Sequence, residues 1–143
     1  MCLTTRRILP NVTLRDKVVY KILRKWEDGL YTPFQYHEIK CRGIKADGDR
    51  IISRHCWGLR RTVSEGYVHA YKKLEDAQRV IKTWQYKPEN NIIVKCVIPA
   101  GTLYFNSFDR VEICAKQMII SEQQWNALNN KNNENESEEN LSE

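Results

Sequence analysis

The stretch GYVHAYKKLEDAQRV, Gly66–Val80, sets His69 between Tyr67 and Tyr71 at alternate positions. An imidazole titrates near neutral pH, so a histidine flanked by phenols can hold a ligand or move a proton. The same residues also satisfy a purely structural demand. A half-buried strand histidine can meet its two nitrogens with backbone groups or tyrosine hydroxyls, and that scaffold role is the expectation for His69. A second set, His37, Cys41, His55 and Cys56, offers nitrogen and sulfur donors of the kind zinc takes. Adjacent residues on an extended chain project to opposite faces, so His55 and Cys56 can share a metal only from a bent loop. No metal and no cofactor is expected.

A third grouping is basic and aromatic. Lys21, Arg24, Lys25 and Trp26 follow Tyr20, and Arg54, His55, Trp57, Arg60 and Arg61 form a second cluster. Guanidinium groups bind phosphates and aromatic faces stack bases, the mixture found in single-strand binders. The structural alternatives are that Trp57 anchors a loop on the core and that the cations form a solvated surface. There is no phosphate loop, dinucleotide glycine fingerprint, nucleophile elbow or paired Cys-x-x-Cys, so no recognised catalytic motif is present and enzymatic activity is left open.

The elements that position these residues follow from periodicity. KVVYKILRKW reads as a strand, with Val18, Tyr20 and Ile22 on one face and Val19, Lys21 and Leu23 on the other. Asp28–Gly29 marks a turn before YTPFQY, and YHEIKCR reads as a third extended piece running towards Gly43. Asp47–Gly48 is a hairpin-like turn, and RHCWGLRRTVSE reads as loop. Tyr67, His69 and Tyr71 share a strand face opposite Val68 and Ala70. From Leu74 the period becomes helical, with Leu74, Ala77, Val80, Ile81 and Trp84 in one stripe of a helix over about 74–86. NNIIVKCVIPAGTLYF is a buried strand stopped by Pro99 and turned at Gly101, and RVEICAKQMII adds one or two more strands. Ser121 and Gln124 make a capping box for a short C-terminal helix whose Trp125 and Leu128 lie on one face. The expected fold class is α+β, a mostly antiparallel β-sheet with one main helix.

At 143 residues the chain suits one domain, expected over residues 1–128. The segment 129–143 is rich in Asn and Glu and lacks aromatic residues, so it is expected to be a disordered acidic tail. The net charge is +5; five Glu against Lys131 make the tail −4, leaving +9 on the body. A basic body suits a polyanionic partner, nucleic acid or nucleotide. Five widely spaced cysteines make a poor disulfide framework, and MCLTTRRILPNV lacks the apolar core of a secretory signal. With mean hydropathy of −0.63 and no long apolar run, a cytoplasmic protein with no membrane partner is expected.

Met-Cys-Leu at the start, VVYKILR, LYTPF, GYVHAYKKLEDA and IIVKCVIPAGTLYF followed by ICAKQMII together resemble a family of small bacterial and phage proteins with no assigned activity. The resemblance spans most of residues 1–120 and identifies a family rather than an activity; binding of nucleic acid or a nucleotide is expected from the basic, aromatic-bearing body, with a host-directed accessory protein that binds another protein as a further expectation. A remoter similarity is to the ADP-ribosyltransferase-like fold. It implies a nucleotide-using enzyme in which Tyr20 and Lys21, then His69 and Tyr71, then Glu112 supply three successive contributions to a nucleotide site. Glu112 follows the Ile-Pro-Ala-Gly turn, and the first strand offers Tyr-Lys where that fold carries a basic residue or histidine. Two expectations therefore stand side by side: a surface binder using Arg24, Trp26, Trp57, Arg60 and Arg61, and an enzyme built around the Tyr20–Glu112 set.

Overall fold

In a computed structural model, residues 3–5, 10–27, 29–32, 38–46, 52–54, 61–63, 67–83 and 90–128 are described. They form an α+β fold: strands β1 (Leu3–Thr5), β2 (Asn11–Val12), β3 (Lys17–Trp26), β4 (Gly29–Tyr31), β5 (Gly43–Lys45), β6 (Ile52–Arg54), β7 (Arg61–Val63) and β8 (Val68–Tyr71), helix α1 (Leu74–Thr83), then β9 (Asn91–Ile98), β10 (Leu103–Asn106), β11 (Glu112–Ala115) and β12 (Gln117–Ile120). A short helix, α2, spans residues 122–128. A small sheet has the order β1-β7-β6, and the larger one runs β2-β10-β11-β8-β3-β9-β12-β5, with β4 paired beside β3. The ladders of both sheets are antiparallel.

β3 organises the larger sheet. It pairs with β9 along Lys17–Arg24 but meets β8 at one pair, Tyr20 and Tyr71. β8 continues to β11 and β9 to β12. Because Lys116 alone separates β11 from β12, the chain from 112 to 120 closes a circuit through β8, β3 and β9. The inward residues change phase at this join, from Ile113 and Ala115 to Met118 and Ile120. One additional residue is what such a shift needs, and Lys116 supplies it as a bulge. Its N–H donates to the Leu103 carbonyl at 3.0 Å, and its carbonyl accepts the Ala46 N–H at 3.0 Å.

Inside the circuit lies the main core: Val19 and Leu23 from β3, Val68 and Ala70 from β8, Val94, Cys96 and Ile98 from β9, and the four inward residues of 112–120. Burying each large aliphatic contributes about 1.5–3 kcal/mol relative to exposure. Trp125 and Leu128 of α2 pack against this core. α1 covers the outer face, where Ala77 is fully buried with Ile22 and Tyr71, and Val80 and Ile81 pack alongside.

Several expectations need correction. Leu74 does not join the stripe of α1; it is exposed at the helix start. The described helix ends at Thr83, and Trp84 and Pro88 lie outside the described residues. Tyr36 and His37 of YHEIKCR lie outside the described residues, and residues 38–42 do not form one strand. Glu38 makes an isolated bridge with Tyr31, and Gly43 begins β5. The turn Asp47–Gly48 lies outside the described residues, but β5 and β6 on either side of it do not pair with each other. β5 pairs with β12 and β6 with β7. The RHCWGLRRTVSE region is not all loop, since Arg61–Val63 forms β7.

The capping box forms only in half. Ser121 Oγ accepts the Gln124 N–H at 3.4 Å, while the Gln124 side chain accepts the Lys95 N–H instead of returning to Ser121. Ser121 N–H in turn donates to the Lys95 carbonyl at 2.9 Å. A local cap has been exchanged for a dock that ties α2 to β9.

Candidate functional site

The outer face of the larger sheet carries Tyr20, His69, Tyr71 and Glu112 among the residues singled out for chemistry. Tyr20 of β3 faces Tyr71 of β8, and Tyr71 faces Glu112 of β11, so three strands set these side chains in one row. Adjacent strands lie about 4.8 Å apart, which places Tyr20 and Glu112 about 10 Å from each other. The next row pairs His69 with Cys114, and Cys114 with Phe105. Beyond it Tyr67 packs edge-on to Phe105, with ring centroids 5.4 Å apart, and the Lys116 ammonium lies 4.8 Å from the Tyr67 ring centroid. β1 of the small sheet also approaches β10 and β11. His69 thus sits, half buried, between the Tyr67–Phe105–Cys114 cluster and the Ile22–Tyr71–Ala77 cluster.

The chemistry of the row is turned inward. The Tyr71 hydroxyl donates to the Glu112 carboxylate. Burial, followed by the negative charge of Glu112 and this hydrogen bond, pushes the Tyr71 phenol well above its usual range. Burial also raises Glu112, against the lowering effect of the Tyr71 bond. A phenol held in its neutral form by its own carboxylate partner is a poor base, and Tyr71 lies under α1. The Cys114 thiol beside His69 is pushed up to about 12, chiefly by burial, so it is not an activated nucleophile.

Lys21 occupies the opposite face. It lies between Val19 and Leu23 on the inner side of β3 and is only 7% exposed. Its Nζ donates to the His69 carbonyl at 2.8 Å, spanning the region where β3 and β8 share a single residue pair. Burial pushes the amine down to about 8, partly offset by the nearby Cys96, whose own thiol burial raises to about 12. Lys21 therefore braces the backbone of His69 from within and is not presented to solvent alongside Tyr20. A lysine at an alternating strand position is ordinarily taken as solvent-facing, and no local signal marks this one as buried.

The basic and aromatic residues divide by region. At the far end of β3, Arg24 faces Tyr31 across the β3–β4 ladder, while Lys25 alternates to the other face. Trp26 is 48% exposed, and its ring centroid lies 6.3 Å from that of Tyr31 at an interplanar angle of 65°. Arg61 lies on β7, and no side-chain geometry is described for it; Trp57 and Arg60 lie outside the described residues. So do His37, His55 and Cys56, whereas Cys41 is exposed with its thiol donating to the Gly43 carbonyl at 3.2 Å. Among the described residues no group of three or more His, Cys, Asp or Glu side chains converges as a metal site. No helix among them is long and apolar enough to cross a membrane.

Sequence reasoning did not find the clamp around Thr13. Its N–H donates to the Thr102 carbonyl at 3.0 Å, and its carbonyl accepts the Gly101 N–H at 2.7 Å. Its hydroxyl donates to the Pro99 carbonyl at 2.7 Å and accepts the Thr102 N–H at 2.9 Å. Gly101 has φ +84°, a conformation that suits glycine in this turn. The Pro-x-Gly text signals the turn, but nothing in the sequence names its partner 86 residues earlier. Compared with protein-family profiles, curated proteins and solved structures, the chain has no match in any of the three.

Proposed function

We propose that this chain is a noncatalytic binding protein that takes single-stranded nucleic acid on the basic, aromatic-bearing end of β3. The observation that carries this reading is Trp26, a large aromatic left half exposed and set against Tyr31 on a face shared with Arg24. An exposed indole gives a base a stacking surface, and a neighbouring guanidinium suits the phosphate that follows it. The +9 charge of residues 1–128 adds a sequence-independent attraction. The row of Tyr20, Tyr71 and Glu112 supports the binder over the enzyme, because the Tyr71 hydroxyl is bonded to Glu112 and both tyrosines pack with the cluster around Ala77 of α1.

Fluorescence anisotropy with a labelled single-stranded oligonucleotide tests the reading. Affinity should fall steeply between low and moderate salt, as phosphate contacts require. Absence of binding even at low salt would remove the proposal.

The ADP-ribosyltransferase-like reading keeps one favourable observation, the alignment of Tyr20, Tyr71 and Glu112 across three adjacent strands with His69 one row away. Calorimetric titration with NAD separates the two readings. The binder predicts no heat of binding from NAD, and the enzyme predicts a saturable one lost in Glu112→Gln.

A further inference from the structure

The turn from Thr13 to Asp16 combines rigidity with exposed apolar surface. Thr13 is buried and fixed by its four bonds to the Pro99–Thr102 turn, and the Asp16 carboxylate accepts the Ala100 N–H at 2.9 Å. Between these two anchors Leu14 is 91% exposed. Val12, also exposed, is register-paired with exposed Leu103 on the neighbouring strand, and Val18 is exposed at the start of β3. A leucine held out by a tightly bonded turn, with three more exposed aliphatics on the strands that join it, is not a frayed loop.

Basic residues adjoin this tip through Arg15 and Lys17. Arg15 follows Leu14 in the turn and is exposed, and Lys17 begins β3, half-buried, with its ammonium donating to the Tyr104 hydroxyl at 3.3 Å. Lys72 and Arg110 approach closely enough that the charges of Lys17 and Arg110 add to burial in holding Lys72 below the usual lysine range. Two acids of the same end have hydrogen-bond partners within the fold. Asp16 is bonded to Ala100; Asp109 accepts from the Ser107 hydroxyl at 2.5 Å and from the Val111 N–H at 3.1 Å. Arg15, Lys17, Lys72 and Arg110 outnumber Asp16 and Asp109 here, so the surface around the exposed apolar residues keeps a net positive charge.

We propose that the Leu14 turn is a docking tip for an anionic lipid surface, with Leu14 entering the headgroup boundary and Arg15, Lys17, Lys72 and Arg110 meeting the lipid phosphates and carboxylates. Charge complementarity selects an acidic partner, and the shape selects a bilayer. A peptide segment needs a groove to lie in, whereas a leucine standing clear of the surface suits a deformable apolar medium. This tip lies at the opposite end of β3 from Trp26, and the assignment does not depend on the nucleic-acid reading.

Vesicle cosedimentation tests it, using phosphatidylcholine vesicles with and without phosphatidylserine. The full chain should bind only the phosphatidylserine vesicles, less at high salt, and Leu14→Ser should weaken binding about tenfold. Arg15→Glu should weaken it as well, and far-UV circular dichroism should be unchanged in both variants because both positions are exposed. Oligonucleotide affinity should be the same for Leu14→Ser and the parent chain. No binding of the parent to phosphatidylserine vesicles, or equal binding by Leu14→Ser, would overturn the assignment. So would a Leu14→Ser chain that loses oligonucleotide affinity while the parent ignores vesicles, which would give the tip to nucleic acid as a wedge between bases. Failure of oligonucleotide binding by the parent bears on Trp26 alone and leaves the vesicle result to stand by itself.

Discussion

On the inner face of β3, Lys21 lies between Val19 and Leu23 with its amine closed off from water; on the outer face, Trp26 stands half exposed at the end of the same strand. Both residue types were candidates for ligand contact, and both lie in one unbroken strand of ten residues. What separates them is the circuit. β8, β9 and the bent segment 112–120 enclose the inner face along its length, whereas α1 covers only the middle of the outer one, around Tyr20 and Ile22. Chemistry on the inner face is consumed in holding the fold together. Side chains at the two ends of the outer face, Val18 and Trp26, stay exposed.

The largest effect that would sharpen this contrast is a cavity on the enclosed side. Leu23→Ala should cost about 2–5 kcal/mol in urea denaturation, because Leu23 is fully buried and the closed circuit leaves little room to collapse. Leu14→Ala, at the exposed end, should stay within about 0.5 kcal/mol. Comparable losses from the two would mean that the inner face is not a packed core.

Next comes the pH response of Lys21. Its folded pKa of about 8 lies below the ordinary 10.5, so below pH 8 the folded chain carries a buried ammonium that the unfolded chain hydrates freely. That penalty is relieved as pH rises from 8 towards 10.5, a swing of about 3 kcal/mol. Above pH 9 the buried Cys96 and Cys114 thiols act in the opposite sense, since they ionise near 9 only when unfolded. Comparison with Lys21→Met cancels the Cys114 contribution, and measurement at or below pH 9 keeps that of Cys96, which the Lys21 charge lowers, small. The variant should be the more stable chain at pH 7 by about 1–2 kcal/mol, the lost bond to the His69 carbonyl offsetting part of the gain, and its advantage should shrink by pH 9. A variant less stable than the parent at pH 7 would show that the amine is not a burden on the fold.

His69→Ala should cost about 1–2 kcal/mol, through lost packing between the two outer clusters, without altering oligonucleotide affinity. A variant of unchanged stability that no longer binds nucleotide would transfer the function to the row of Tyr20, Tyr71 and Glu112. The smallest effect belongs to the acidic tail: removing residues 129–143 should move the melting temperature by no more than a degree or two, because Trp125 and Leu128 already dock α2 on the core. A cooperative loss of structure on truncation would show that the tail is part of the fold.

The elements legible in the sequence are those whose signals are local. The alternation of KVVYKILRKW marks β3 from Lys17 to Trp26, the shift to helical period marks Leu74 as the start of α1, and Pro99 marks the end of β9. What stayed hidden depends on distant partners. Asp47–Gly48 has the text of a hairpin, yet the strands around it pair with β12 and β7. Gln124 has the text of a reciprocal cap, yet Lys95 of β9 takes its side chain. Lys116 becomes a bulge because the chain must face two different strands before and after it, and no short window contains that requirement. At the site, the shared face of Tyr20 and Ile22 and the separate face of Lys21 were readable from period two. The burial of Lys21 and the bond between Tyr71 and Glu112 were not, because the circuit that creates them is closed by residues 112–120.

The most direct test sets the exposed end of β3 against the covered row in one assay. Single-stranded oligonucleotide affinity would be measured by anisotropy for Trp26→Ala and Glu112→Gln, each checked for an intact fold by circular dichroism. Loss of one stacking platform should weaken binding about tenfold in Trp26→Ala, with Glu112→Gln indistinguishable from the parent chain. Unchanged affinity in Trp26→Ala together with a loss in Glu112→Gln would contradict the account and place the ligand on the row of Tyr20, Tyr71 and Glu112.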